Sequence, residues 1–331
     1  MLPGPEDFAA AVHALRRGEP VAFPTETVYG LGADALSESA VARVFELKGR
    51  PANNPLIVHV ATADAARDLS TSWDSRAQAL ARAFWPGPLS IIVPRSHCFP
   101  AIVTAGSPNV ALRCPDHPAA LALLTAFAGP LVGPSANRSG SVSPTTSAHV
   151  REAFPRLLVL EGGPCTRGIE STVVTLADIR PRVLRPGVIS AAQLAEVLGT
   201  PVDAPNVAPA ASNPGAASAE PLPSPGLLAS HYAPAAPVHL LSAADIHADP
   251  ARLAHAVVIH HTPLALPAST PFIRLPASAD GYAARLYAAL READSARPGA
   301  ILIERPTPAS PDTHIWLAIL DRLERAAAPR P

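Results

Sequence analysis

The stretch from Phe23 to His59, FPTETVYGLGADALSESAVARVFELKGRPANNPLIVH, constrains this chain more than any other. An apolar run, Val21-Ala22-Phe23, leads into it and reads as a buried strand. PTETVYGLG follows, too polar and too marked by glycine for a core segment. Ser37 suits a helix N-cap, and apolar side chains then recur at Val41, Val44, Phe45 and Leu47, which predicts a helix. Lys48-Gly49-Arg50-Pro51 supplies the stop, and Leu56 to Val60 reads as a second strand. The expected unit is strand, polar loop, helix, basic turn, strand. Loops at strand ends carry function more often than the elements they join.

Composition sharpens one position. The chain has 26 basic residues, and Lys48 is the only lysine among them. Where arginine replaces lysine so thoroughly, a retained lysine points to a need for a compact, mobile ammonium. The plain alternative is a cation placed by chance at a helix C-terminus, where it also suits the dipole.

Alternation continues along the chain. Helices are expected at 6–17, 75–84, 118–127, from about 147, and at 190–198; strands at 89–93, 109–113, 131–132, 157–160, 171–176 and 182–184. This predicts an α/β fold with a twisted, mixed or largely parallel sheet over residues 1–200. Residues 201–225 shift to proline, alanine and serine and read as a linker. A second alternation over 226–331 predicts a smaller α/β, Rossmann-like C-terminal domain: strands at 238–241, 256–260, 272–275 and 300–303, helices near 282–291 and 313–325.

Several functions are disfavoured. A net charge of −1 without a basic stripe argues against tight nucleic-acid binding. Three scattered cysteines argue against a disulfide framework or a cysteine-based zinc site, and for a reducing cytoplasm. No apolar run approaches the roughly 18 to 20 residues of a membrane span. There is no G-x-x-x-x-G-K-[ST] phosphate loop. Gly30-Leu31-Gly32-Ala33-Asp34-Ala35 matches G-x-G-x-x-A, but it stands six residues from the strand and lacks an acid about 20 residues on. His260 and His261, adjacent on a strand, point to opposite faces and make a poor metal pair.

Polar residues accumulate instead in the loops of the first domain. They are Thr25, Glu26, Thr27 and Tyr29; Lys48, Arg50, Asn53 and Asn54; Arg113; Ser135, Asn137, Ser141 and Ser143; Arg167, Glu170 and Ser171; and Arg185. Arginines, serines and free backbone N–H groups are what a polyphosphate requires, and a further arginine could fork the carboxylate of a small zwitterion.

PTETVYGLG, KGRPANNPL, FWPGPLS, VALRCPDHP, VGPSANRSGSVSPTT, GIESTVV, RPGVIS and SPGLLASHYAP resemble, in order and spacing, the threonylcarbamoyl-AMP synthases of the YrdC-like superfamily, in their long two-domain form. The resemblance implies that L-threonine and bicarbonate or CO2 give an N-carboxy-threonine, which attacks the α-phosphorus of ATP. Threonylcarbamoyl-adenylate and pyrophosphate result. A downstream threonylcarbamoyltransferase complex then passes the group to the adenosine next to the anticodon in tRNA. Magnesium would accompany the triphosphate, and no organic prosthetic group is implied.

Carried over onto matching positions, Thr27, His59, Arg113, Gly133 and Ser171 resemble the threonine-binding set. Arg50, Asn54, Asn109, Ser135, Ser143, Arg185 and Tyr232 resemble the ATP-binding set. Lys48 and Arg50 are the expected catalytic residues, neutralising phosphate charge with Arg185 and a metal, and Tyr232 is expected to reach from the linker onto the nucleotide. Leu227-Leu228-Ala229-Ser230 departs from the basic and aromatic segment many relatives carry there. The second domain is expected to act as a lid and a regulatory or docking domain without chemistry of its own. Two rivals remain at this point. One is a carbamoyltransferase, as in hydrogenase-maturation factors with a similar module. The other is an RNA-binding module, against which the neutral charge weighs.

Overall fold

The computed structural model describes residues 3–204, 222–224, 226, 231–248, 250–308 and 312–329. Leu227–Ser230 and most of the 201–225 linker lie outside the described residues.

Nine strands form the first sheet: β1 (Val21–Phe23), β2 (Gly30–Asp34), β3 (Ile57–His59), β4 (Leu89–Pro94), β5 (Asn109–Arg113), β6 (Leu131–Val132), β7 (Leu158–Val159), β8 (Thr172–Thr175) and β9 (Arg182–Arg185). Their order is β7-β1-β2-β6-β3-β5-β4-β8-β9. The pairs β7–β1, β3–β5 and β4–β8 are parallel. The remaining neighbours are antiparallel, so the sheet is mixed.

β2 departs from the sequence reading, which left GLGAD inside a loop. Gly30 and Gly32 lie opposite Phe23 and Val21, and a Cβ at Gly30 would stand 2.9 Å from the Phe23 ring. Glycine is used here so that the ring can lie across the strand, and this removes the β-branched signature of a strand. The helix Glu38–Lys48 follows as expected. Ser37 accepts a hydrogen bond from the Ala40 N–H, and Gly49 closes the helix in the left-handed region at φ 61°. The main core packs helices against one face of this sheet, with Leu31, Val41, Val44, Val58, Leu80, Ile91 and Leu112 buried in it. On the other face Ile57, Ile92, Ala111 and Val173 form a smaller apolar strip.

The second sheet is parallel throughout: β10 (Val238–Leu241), β11 (Ala256–His260), β12 (Phe272–Arg274) and β13 (Ala300–Glu304), in the order β10-β13-β11-β12. Val258 and Leu302 face the short helices Ala243–Ala248 and Pro250–Leu253. Val257, Ile259, Ile301 and Ile303 face the helices Ala279–Ser295 and Thr313–Ala327. Alternate residues thus bury on opposite faces, as a strand dictates.

The two units share a core. Val28, Val142 and Ile169 from the first unit, together with Tyr232, pack with the buried face of the last two helices. The edge of the first sheet also extends past residue 200, where Asp203 bridges Arg182. Among the described residues, no helix is long and apolar enough to cross a membrane.

Candidate active site

The carboxyl ends of β3 and β5 lie side by side in parallel register, with His59 opposite Arg113. Side chains two apart on a strand share a face, so His59 continues the row of Ile57, and Arg113 that of Asn109 and Ala111. At this end a cavity opens, lined by Thr27, Val28, Arg50, Ile57, His59, Arg113, Gly133, Pro134, Ser135, Glu170, Arg185, Gly226, His231 and Tyr232.

The β1–β2 connection forms one wall. Thr25 Oγ1 donates to the Val28 carbonyl at 2.6 Å and lies 2.8 Å from Thr27 Oγ1, which locks a tight, buried turn. Glu26 reaches Arg113 at 2.7 Å, with both side chains only 5% exposed. A buried charge pair of this kind holds each partner in place, since neither can lose the other cheaply. Arg113 Nε also points at the Gly87 carbonyl. His59 meets Phe23 edge-on at 5.6 Å, and burial, then Arg113, pushes its pKa well below the ordinary value. The imidazole is therefore neutral. Gly133 lies against it, and a Cβ there would fall 2.5 Å from His59 Nδ1.

Two more arginines face the cavity. Arg50 is held by the Asn54 and Pro55 carbonyls and by Asn54 Oδ1, the last at 2.7 Å. Burial lowers its pKa to about 9. Arg185, at the end of β9, donates to the Ser171 carbonyl and hydroxyl at 3.0 and 3.1 Å. Ser171 Oγ in turn lies 2.9 Å from Ser90 Oγ. Asn54 is fully buried, and its Nδ2 has no partner among the described residues.

His231 and Tyr232 form the roof, their rings 4.0 Å apart. Tyr232 is 1% exposed and takes φ 61°, a region side chains rarely adopt, fixed here by its burial. Burial also pushes its phenol up to about 12, so it stays protonated. His231 Nδ1 has no partner among the described residues. Burial, followed by Arg50, Lys48 and Arg185, keeps that ring neutral.

Thr27, His59, Arg113, Gly133, Arg50, Ser135, Arg185 and Tyr232 therefore converge, with Ser171 and Asn54 directly behind them. Three expected residues are placed differently. Lys48 does not line the cavity. Its ammonium is buried beneath the 133–137 loop, where it donates to the Ser135 and Asn137 carbonyls at 2.5 and 2.6 Å. Burial, then Arg50, lowers its pKa well below the usual value. It ties the end of its helix to that loop. Ser143 lies behind the cavity and donates to Glu170 Oε1 at 2.8 Å. Asn109 lies at the opposite end of β5. It lines a second depression with Pro55, Leu56, Thr104, Ser107, Leu222 and Pro223, roughly 13 Å along the strand from Arg113. The apolar strip Ile57, Ile92, Ala111 and Val173 lies on the same face between the two ends.

Glu26, Glu170 and His231 are the residues whose roles the sequence reading missed. Glu26 and Glu170 stand out only as carboxylates inside glycine-marked loops, and His231 as the neighbour of Tyr232. Among the described residues no group of three or more His, Cys, Asp or Glu side chains could hold a metal ion. Glu170, the carboxylate in the cavity lining, pairs with Arg322, and Glu26 pairs with Arg113.

Comparison with known proteins places the chain in a family. A family model described as "Telomere recombination" matches residues 13–187, and one described as "Threonylcarbamoyl-AMP synthase, C-terminal domain" matches residues 189–328. A threonylcarbamoyl-AMP synthase of Bacillus subtilis is 38% identical over 98% of this chain and 93% of its own length. One of Schizosaccharomyces pombe is 35% identical over 96% of this chain and 87% of its own. The crystal structure of Pyrococcus abyssi Sua5 complexed with L-threonine superposes with a TM-score of 0.85 at 34% identity, covering 97% of this chain and 94% of that one. Both sheets thus follow one family's fold, and the chain belongs to the threonylcarbamoyl-AMP synthase family.

Proposed function

We propose that this chain forms threonylcarbamoyl-AMP and pyrophosphate from L-threonine, bicarbonate or CO2, and ATP. The product serves modification of the adenosine next to the anticodon in tRNA, through a downstream transferase in the cytoplasm. The observation that carries this reading is the convergence of Thr27, His59 and Arg113 with Arg50 and Arg185 on one cavity roofed by His231 and Tyr232.

Arg113, braced by Glu26, forks the threonine carboxylate, while Thr27 and neutral His59 complete its polar surround. Gly133 leaves the space that a side chain would fill. The N-carboxylated amine presents a carbamate oxygen that is already anionic. It attacks the α-phosphorus, forming the C–O–P bond as the α–β bridging P–O bond breaks and pyrophosphate leaves. No protein nucleophile or obligatory base is required. Arg50 and Arg185 balance the charge that develops on the phosphates, and a water-poor cavity strengthens that effect. Lys48 contributes by holding the Ser135 loop.

The remainder of the nucleotide extends along the sheet over Ile57 and Ala111 toward Asn109, a span that suits an adenosine. Tyr232 and His231 then shield a mixed anhydride from hydrolysis. Magnesium, if it enters with ATP, takes its ligands mainly from phosphates and water, as this ion commonly does.

The test is pyrophosphate release by the purified protein, with each substrate omitted in turn. Release that requires both threonine and bicarbonate is expected. Release indifferent to threonine would sink the reading.

A further inference from the structure

The second unit reaches into the wall of the cavity. Glu170 lines that cavity, yet its carboxylate is gripped from behind by the last two helices. Tyr287, on the helix Ala279–Ser295, donates to Glu170 Oε2 at 2.8 Å. Arg322, on the helix Thr313–Ala327, donates to the same oxygen through Nε at 3.3 Å. Its Nη1 donates to the Pro186 carbonyl at 2.6 Å and lies 3.2 Å from Asp321. Arg322 is 1% exposed. The guanidinium therefore spans from the start of β8 to just past the end of β9, the two points that carry Ser171 and Arg185.

The same two side chains hold the roof. Tyr287 stacks on Tyr232 at 5.5 Å with 27° between the rings, and the Arg322 guanidinium carbon lies 6.0 Å from the Tyr232 ring centre. Burial alone would raise the Glu170 carboxyl; Arg322, Arg185 and the Ser143 and Tyr287 donors outweigh it and pull it down. A carboxylate facing a phosphate site would repel its ligand. Here its charge is matched from the rear.

We propose that Arg322 and Tyr287 are positioning residues for adenylate formation. Through Glu170 and Tyr232 they make docking of the second unit, closure of the roof and placement of Ser171 and Arg185 a single arrangement. This rests on the reading given under Proposed function. The second unit braces Arg185 and Tyr232 of the nucleotide set and reaches the threonine set through Ser171 alone; Thr27, His59 and Arg113 have no hydrogen bond or ion pair to Arg322 or Tyr287 among the described residues. A purely structural clasp would affect both substrates alike, or only the melting temperature.

The experiment uses the full chain and the variants Arg322→Met, Arg322→Lys and Tyr287→Phe. It measures kcat, KM for ATP and KM for threonine by pyrophosphate release, ATP binding by calorimetry, and thermal unfolding. Arg322→Met is expected to raise KM for ATP, weaken ATP binding and lower kcat, each by about tenfold, while KM for threonine, reached only through Ser171, moves less. Arg322→Lys restores part of this, because it keeps the charge on Glu170. Tyr287→Phe keeps the ring stack and loses one donor, for a change of about threefold in the same direction. Folded variants with wild-type ATP affinity and kcat would overturn the proposal, as would equal losses for ATP and threonine. If Arg322→Met does not fold, Tyr287→Phe decides. If the wild-type protein binds ATP without threonine-dependent pyrophosphate release, the functional reading fails, and the calorimetric arm still judges the clasp. A wild-type protein that binds no ATP ends both.

Discussion

Two strand ends in this molecule bury comparable sets of polar side chains, and the two sets are arranged differently. At the carboxyl ends of β3 and β5, His59, Arg113, Arg50 and Arg185 face a common space. At the carboxyl ends of β11 and β13, Glu304 accepts from the His261 and Thr262 N–H groups and from Thr262 Oγ1. His261, Tyr282 and Trp316 close over that end as an aromatic cluster. In the second unit the polar groups face one another, and in the first they are braced from behind and face outward. Burial of charge is therefore a poor mark of a site by itself. Convergence of braced charges on a space is the better one.

The largest expected effect comes from breaking a brace on the cavity side. Arg113→Ala should lower kcat/KM for threonine by about 10²- to 10³-fold. It should also destabilise the fold by about 3–5 kcal/mol, because Glu26 is left buried without its partner. Steady-state kinetics and chemical denaturation check the two halves separately. Next comes the space itself. Gly133→Ala drives a methyl against His59 Nδ1, and should raise KM for threonine about tenfold while KM for ATP changes less. Unchanged threonine kinetics would mean that the threonine half lies elsewhere.

On the closed side, Glu304→Gln should cost about 1–3 kcal/mol of stability through its lost charge-assisted bonds, and leave kcat unchanged at temperatures where the variant is folded. A selective loss of turnover there would break the comparison. The smallest effect is in pH. Burial, then Arg291, lowers His149 to about 4 from 6.5. The unfolded chain thus binds the proton first, and this contribution to stability is complete above pH 6.5 and fades as pH falls toward 4. His149→Asn should flatten the acid limb of a melting-temperature profile.

Much of the framework was legible from sequence. The helices Ser75–Phe84 and Pro118–Phe127 and the strand Asn109–Arg113 lie where periodicity and the Pro and Gly stops place them. β2 was hidden because its glycines serve a cross-strand ring and carry no strand propensity of their own. The motif residues Thr27, His59, Arg50 and Arg185 could be found because each lies in a distinctive local run. The roles of Glu26, Glu170 and Arg322 could not be read, since each depends on a partner far away in the chain: residue 113 for the first, 322 and 170 for the others. Lys48 shows the reverse. Its rarity singled it out as a compact, mobile ammonium; in the fold that ammonium is buried and donates to loop carbonyls.

The apolar cluster common to both units has a thermodynamic consequence. Val28, Val142 and Ile169 are covered by the same layer that contains Leu286, Leu290 and Ile319. At Gly168 the backbone comes so close to the helix Ala279–Ser295 that a Cβ would fall 2.3 Å from the Ala283 carbonyl oxygen. Separating the units would bare oily surface beside the reaction chamber, so neither sheet can loosen without the other. Heat should therefore melt the protein in one cooperative step, and the chamber should lose its shape at that same temperature and not before it.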